Sequence, residues 1–484
     1  MHENPRKRTR ARGWRTAGAT ASAAAAGLAV VTGLAACSSS SSSASPAAST
    51  TSSASSSAAA SAAASASSTP AAAGTGSSAI AAALQQPTTL TVWAWAPQTA
   101  AIVKAFEKQY PKVTINLVNA GTGSAEYTKL ENAIKAGSGA PDVAQIEYYA
   151  LPQFALQGAL ADLSADGLGS VKSQFSSAVW GSVNVGGKLV GLPQDTGPMA
   201  LFYNKTIFDK YHLAVPTTWA QYAADAATLH AADPKEYIGN DTGDPGFVTS
   251  MIWAAGGDPY AVSGTKNVTI NLQDAGAKKF ASLWSPLITK GLLAPVTSWS
   301  TQWYTGLANG SIASLVTGGW MGVDLETGVP SGKGDWRVAP LPEWTAGTPA
   351  TSENGGSADS VLASSKNQLA AAGFLQYMNT GPGEQISATS GDFPSSNAML
   401  NAASFLDQAP AYFGGQKINQ VLSKAASQVL PGWSYLPFQV YANSIFPNTV
   451  GQAYTGKSSL DAGLQAWQQQ SASYGSQQGF SVSG

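Results

Sequence analysis

Cysteine occurs once in the 484 residues, at Cys37, and histidine three times. A single cysteine excludes a disulfide framework and any paired-cysteine metal motif. So few histidines exclude a histidine-rich metal centre. Charge is scarce as well: Asp, Glu, Lys and Arg together make up 11% of the chain, against about a quarter in ordinary soluble proteins. The 26 Lys and Arg nearly balance the 27 Asp and Glu, for a net charge of −1, whereas a nucleic-acid binder needs a basic face. No GxSxG occurs, and no apolar run is long enough to read as a bilayer-spanning helix. Apolar material itself is plentiful. Hydrophobic residues make up 44% of the chain, and Trp alone numbers 14.

The N-terminal end has its own composition. Arg6, Lys7, Arg8, Arg10, Arg12 and Arg15 face only Glu3, and an Ala-rich apolar run follows from Ala17 to Ala36. This order reads as a secretory signal over residues 1–36. With no adjacent Arg pair, general secretion is favoured over the twin-arginine route. Losing this +5 segment leaves the rest of the chain at −6. The run ends in Leu34-Ala35-Ala36-Cys37, which resembles a bacterial lipobox. That resemblance implies cleavage before Cys37 and acylation of its thiol. Residues 38–83 are almost entirely Ser and Ala, too little apolar surface to offset the entropy of ordering. A flexible tether is expected over 37–86, reaching on the order of 40 Å as a random coil.

The remaining roughly 400 residues exceed the ~250–300 that one core usually serves, so two lobes are expected. Leu90-Thr91-Val92-Trp93 reads as a strand. Ala100 to Tyr110 reads as a helix, with Ile102, Ala105, Phe106 and Gln109 at three- and four-residue spacing and Pro111 to stop it. Val113 to Val118 alternates as a second strand. Tyr127, Leu130, Ala133 and Ile134 line the next helix, with Gly137 as its C-cap. Pro141 to Ile146 is a third strand. Alternation of this kind implies parallel βαβ units, whose ligands sit at the carboxyl ends of the strands.

The words in this stretch resemble those of the extracellular solute-binding proteins of bacterial ABC importers, the sugar-binding branch above all. They are Leu90-Thr91-Val92-Trp93, Phe106-Glu107-Lys108 with Tyr110-Pro111, Ala140-Pro141-Asp142-Val143 and Gly158-Ala159-Leu160-Ala161-Asp162-Leu163. Leu201-Phe202-Tyr203-Asn204-Lys205, Pro216-Thr217-Thr218-Trp219, Gly318-Gly319-Trp320, Pro340-Leu341-Pro342 and Ala370 to Met378 follow in order. The resemblance implies an α/β periplasmic-binding-protein-like fold of two lobes with a multi-strand hinge and a ligand cleft between them. One lobe would take 87–195 plus 358–404, the other 196–357 plus 405–484. The crossings would fall near Asp195–Pro198, near Gly355–Ala358 and around Phe405. It also implies a non-catalytic receptor with no cofactor and no metal, which captures a sugar and delivers it to a membrane permease. Such a protein would act as a monomer, held by its lipid on the extracellular face of the cell membrane.

Sugars present C–H faces to aromatic rings and hydroxyl rims to carboxylates and amides. Trp95, Trp253, Trp320 and Trp433 lie beside Gly, Pro or polar residues, where a loop could present a ring; core packing is the competing use of each. Trp219 is read as structural, since its word opens a helix. Glu147, beside Tyr148 at a strand end, and Asp195, in Pro193-Gln194-Asp195-Thr196-Gly197, are candidate hydroxyl acceptors. Gly319, Asn354, Gly355, Asp392, Asn240 and Phe247 complete the candidate set.

Gly451-Gln452-Ala453-Tyr454-Thr455-Gly456-Lys457-Ser458 satisfies GxxxxGK[ST] literally. A P-loop needs an apolar strand before it, and Asn443 to Val450 makes a poor one. Ser263-Gly264-Thr265-Lys266 fits SxxK but has no Lys-Thr-Gly partner and reads as a turn. A glycosidase or lyase would need paired carboxylates, which sequence cannot pair, and His212 and His230 fall at helix ends. A lipid-anchored adhesin would fit the tether but leave the ordered words unexplained. A receptor for a polyol, a glycosyl phosphodiester or another solute stays open.

Overall fold

The computed structural model describes residues 75–240 and 243–484, all within one compact unit, Pro70–Gly484. The signal segment, Cys37 and most of the Ser/Ala-rich stretch lie outside the described residues. The tether was expected to run to residue 86, but Thr75–Ala83 is a helix, α1. Ile80 and Leu84, one turn apart, are both buried. They rest on Gly373, where a Cβ would lie 2.9 Å from Ile80 Cγ2 and 3.0 Å from Leu84 Cδ1. Composition conceals this contact, because two apolar side chains on one helix face are enough to dock a short helix among Ala and Ser.

The first sheet begins as the periodicity predicts. Strands β1 (Thr88–Trp93), β2 (Val113–Val118) and β3 (Val143–Glu147) are parallel, with β1 in the middle. Helix α2 (Thr99–Gln109) buries Ile102, Val103 and Phe106. The Phe106 ring meets Phe374 and Tyr377 edge-on at 4.9 and 5.2 Å. Helix α3 (Ser124–Ala136) closes on Gly137 in the left-handed conformation, φ 65. Ser357–Val361 then pairs antiparallel with β3, and Leu192–Pro193 pairs antiparallel with it in turn. The chain enters Ser357–Val361 from the second lobe and not through a crossover helix, so nothing imposes a parallel direction.

The second lobe is built on a three-stranded antiparallel sheet with Met199–Asn204 between Ser314–Gly318 and Trp336–Pro340. Met199 and Leu201 enter one apolar cluster with Trp219, Met251 and Trp284, while Ala200 and Phe202 enter another with Trp303, Trp336 and Phe413. Side chains alternate across a strand, so this strand is apolar from Met199 to Phe202 because it is covered on both faces there. Thr218 caps the helix Trp219–Ala232 in a capping box with Gln221, and Trp219 is fully buried at its start, as read.

Three segments join the lobes side by side. Asp195 bridges Pro394 and Pro198 bridges Glu353. The third crossing was expected around Phe405, but Phe393, Leu400 and Phe405 already share the core that holds Phe202 and Trp336. Of the motif alarms, Gly451–Tyr454 is a single helical turn after a 3₁₀ turn, and Ser459 caps the helix Leu460–Gln477. That leaves no strand to open a phosphate loop. Ser263 to Lys266 turns between the strands Tyr260–Ser263 and Asn267–Ile270. Among the described residues, no helix is long and apolar enough to cross a membrane.

The docking of α1 is directly testable. Leu84→Ala should lower unfolding free energy by about 2–4 kcal/mol in urea titration. A midpoint equal to wild type would mean that α1 contributes nothing to the folded body.

Candidate functional site

The site is set where the crossing segments meet the ends of β1 and β3. A Cβ at Gly197 would stand 2.0 Å from the Asn354 carbonyl oxygen, and one at Gly318 would stand 2.5 Å from it. Only glycine lets the backbones approach this closely. The space left is filled by the Trp320 indole, whose Nε1–H donates to that same carbonyl at 2.7 Å. Gly355, at φ 78, lies against the same indole nitrogen. The Asn354 N–H donates to the Gly197 carbonyl at 2.7 Å, and its side-chain amide donates to Ser250 Oγ at 3.3 Å. Gly319 sits over the Phe393 ring. Asn354, Gly355, Gly319 and Trp320 are thus parts of one interlock.

Carboxylates gather around it. The Asp195 carboxylate accepts the Ser357 N–H at 2.7 Å, and Glu353 accepts the Gly197 N–H at 2.6 Å. Asp392 accepts from Gln98, which follows β1, and from Ser387 Oγ at 2.7 Å. Burial raises Asp195, helped by the charge of Asp392 and opposed by the Ser357 N–H. Burial likewise brings Glu353 to about 7 and Asp392 to about 6. Glu147, at the carboxyl end of β3, accepts from Tyr127 Oη at 2.9 Å and from Tyr149. Burial raises it, as does, more weakly, the charge of Asp244. Asp244 belongs to the second lobe, where it caps the helix Pro245–Ala254 through the Gly246 N–H at 2.7 Å. A first-lobe and a second-lobe carboxylate are thus near enough for the charge of one to act on the other. A Cβ on Gly123, φ 57, would lie 3.4 Å from Glu147 Oε2, so the loop after β2 stays open beside it.

The other sequence candidates fall in several places. Trp95 is half-buried, and its N–H donates to Gln145 Oε1 at 3.1 Å. Gln145 in turn reaches Ser357 Oγ at 3.5 Å, tying the end of β1 to the crossing. Tyr148 is buried, and its hydroxyl donates to the Asp195 carbonyl at 2.9 Å, a bond that braces the crossing. Trp253 and Trp433 stack on each other at 5.0 Å, and Trp253 Nε1 donates to the Leu430 carbonyl. Trp433 Nε1 finds no partner among the described residues. Phe247 lies in the second-lobe core, 5.0 Å from Trp284, and not at the crossing. Asn240 spends its amide on the carbonyls of Ala294 and Val296 and accepts from Ser298.

Sequence reasoning missed Tyr127, Tyr149, Gln98, Asp244 and Tyr435. Tyr435 packs on the first-lobe core from a second-lobe segment, and burial with the charges of Glu353 and Glu147 raises its hydroxyl. Trp299 sits between polar residues in Thr297-Ser298-Trp299-Ser300, the setting that selected other indoles, and its ring stacks on Trp320 at 5.8 Å. His230 is used on the Glu236 carbonyl and the Tyr237 ring. No group of three His, Cys, Asp or Glu among the described residues could hold a metal ion.

Behind this site lies Glu126, fully buried, with neither carboxylate oxygen hydrogen-bonded among the described residues. Burial first, and then Glu147 and Asp359, push it to about 8 against the pull of Lys129. A raised carboxyl holds its proton more tightly folded than unfolded. Its stabilising effect is complete below the unfolded value and is lost as pH climbs through the folded one. Melting temperature should therefore fall between pH 5 and pH 8, and Glu126→Gln should raise it at pH 8 with little effect at pH 4.5. Thermal melts across that range check this, and coincident wild-type and variant profiles would refute it.

A family model described as bacterial extracellular solute-binding protein matches residues 94–385. The lactose-binding protein of Rhizobium radiobacter is 26% identical over 303 residues, spanning 59% of this chain and 69% of that one. Among solved structures, the ABC transporter associated binding protein of B. animalis subsp. lactis Bl-04, in complex with β-1,6-galactobiose, is 42% identical. It covers 82% of this chain and 99% of its own, with a TM-score of 0.77. The galacto-N-biose/lacto-N-biose I-binding protein of Bifidobacterium longum, in complex with lacto-N-biose, is 28% identical at a TM-score of 0.73, covering 82% and 98%. With three-fifths of its length matched by the family model and its two-lobed α/β fold shared with these neighbours, the chain belongs to the bacterial extracellular solute-binding proteins.

Proposed function

We propose that the chain is the sugar-capturing receptor of an ABC-type importer and that its ligand is a neutral, galactose-containing di- or oligosaccharide. The observation that carries this is the charge at the crossing. Glu147, Asp195, Asp244, Glu353 and Asp392 are all raised chiefly by burial, and no Lys or Arg is among the causes acting on any of them. A sugar phosphate or a uronate would find no Lys or Arg partner beside these carboxyls. A neutral sugar brings hydroxyls to the acceptors and C–H faces to the indoles. This weighs against the glycosyl phosphodiester left open by sequence. The sugars of the three neighbours named above, lactose, β-1,6-galactobiose and lacto-N-biose, are neutral and each contains galactose.

The family is one of binding proteins, and the carboxylates fit that role. Asp195 and Glu353 each accept one backbone N–H of the crossings, which orients them as acceptors and leaves lone pairs for a sugar hydroxyl. The lobes close over the sugar as a monomer and present it to the permease. Acylated Cys37 holds the protein on the extracellular face of the membrane.

Two measurements test this reading. The full chain, titrated with lactose, β-1,6-galactobiose and lacto-N-biose, should show a saturable rise in melting temperature by mass action, with the sugar recovered unchanged. Galactose 6-phosphate should give none. Trp320→Ala should weaken binding about 3- to 10-fold, the worth of one stacked ring. Turnover, or a response to the phosphate alone, would overturn the reading. For the anchor, Cys37→Ala should move the protein from the membrane fraction to the medium; unchanged fractionation would remove Cys37 from that role.

A further inference from the structure

Trp299 and Val215 are the exposed large hydrophobic residues among those described, and Trp299 is the more exposed at 49%. It also holds a backbone conformation that bulky residues avoid, with φ 67. The cause is local. Asn240 clamps the carbonyls of Ala294 and Val296 and accepts from Ser298 Oγ at 2.9 Å. On the far side, Ser300 caps the helix Thr301–Asn309, accepting the Trp303 N–H at 3.2 Å and donating to the Thr297 carbonyl at 2.6 Å. The one residue between the clamp and the cap makes the left-handed turn. Glycine would make it without strain; tryptophan makes it only at a cost in backbone strain, of the kind that collects at ligand-binding positions.

The ring is aimed. It stacks on Trp320 at 5.8 Å and 27°, and lies 5.0 Å from buried Trp303. Trp320 in turn is fixed to the Asn354 carbonyl at the crossing. One turn into the helix that follows Trp320, Asp324 acts on Asp392, which Gln98 of the first lobe also touches. The indoles thus form a short file leading outward from the crossing, with Trp320 inner and Trp299 outer, and much of the outer ring remains open to solvent.

We propose that Trp299 is an outer aromatic subsite, which stacks on a sugar ring beyond those held at the crossing and so selects for chains longer than a disaccharide. The inference rests on the sugar reading above. It accounts for an exposed indole on a strained turn, pinned from both sides, next to a ring anchored at the site.

Isothermal titration of the full chain with β-1,6-galactobiose and β-1,6-galactotriose tests it. In Trp299→Gly the turn is relaxed, so the variant should melt no lower than wild type. Its ratio of trisaccharide to disaccharide affinity should fall about 3- to 10-fold, the effect of one lost stacking contact. Trp299→Phe, which keeps a ring, should restore most of that ratio. An unchanged ratio in the glycine variant would overturn the outer subsite while leaving the sugar reading in place. A wild-type chain that binds neither saccharide would bring down the sugar reading and this inference with it, an outcome recognisable because wild type itself is silent.

Discussion

The close approach of two backbones, at Gly197 and Asn354, is the constraint on which the rest of the molecule turns. Both segments pass between the lobes, and glycine at 197 lets the backbone come up against the Asn354 carbonyl. Trp320 then reaches through the space left by Gly318 and Gly355 to take the Asn354 carbonyl. Three sequence words far apart in the chain, Gln194 to Pro198, Gly318 to Trp320 and Asn354 to Gly356, are therefore one object. A side chain added at Gly197, Gly318 or Gly355 would have to displace the Asn354 carbonyl or the indole, and one at Gly319 or Gly356 would run into the Phe393 or Tyr148 ring. The placement of the candidate ligand groups follows from this, because Asp195 and Glu353 flank the crossing and Asp392 bonds the segment before Phe393.

The scarcity of charge noted in the sequence takes on a different meaning once the carboxylates are located. The described salt bridges, such as Lys205 with Asp209, lie on the outside. The buried acids are met instead by backbone N–H groups: Ser357 on Asp195, Gly197 on Glu353, Gly246 on Asp244 and Phe393 on Asp392. Neutral donors lower the cost of burying a carboxylate without cancelling its charge. The acids consequently keep acceptor strength, which a neighbouring guanidinium would have consumed.

Much of the first lobe was legible because its elements obey a single period each. Ile102 and Phe106 repeat as helix residues do, and β2 alternates. The strand Met199–Asn204 carries no such signal, since it is buried on both faces, and only the word Leu201 to Lys205 pointed to it. The crossings were legible only through resemblance, and the third was expected past the short helix Asn397–Leu400 and within the next, Ala403–Leu406, because Asp392, Phe393 and Pro394 have no periodicity at all. Within the site, glycines and indoles could be named, but their use could not. Phe247 and Trp253 share a helix with Asp244, yet they pack its apolar side while Asp244 caps its end. Trp219 could be placed, because Thr218 and Gln221 write the capping box into the sequence. Contacts such as Tyr127 with Glu147, twenty residues apart, depend on how α3 lies against β3, which no local pattern encodes.

The seat of α1 makes the two lobes mechanically unequal. Ile80 and Leu84 press on Gly373 in the helix Gln368–Thr380, whose other side chains belong to the core of the first sheet. Any load that reaches the folded body along the chain from its N-terminal side therefore enters the first lobe. The second lobe receives it through the crossing segments and through contacts such as that of Tyr435 on the first-lobe core. The approach of Gly197 to Asn354 lies on that path, with Glu147 of the first sheet on the loaded side of it and Asp244, Trp320 and Trp299 on the other.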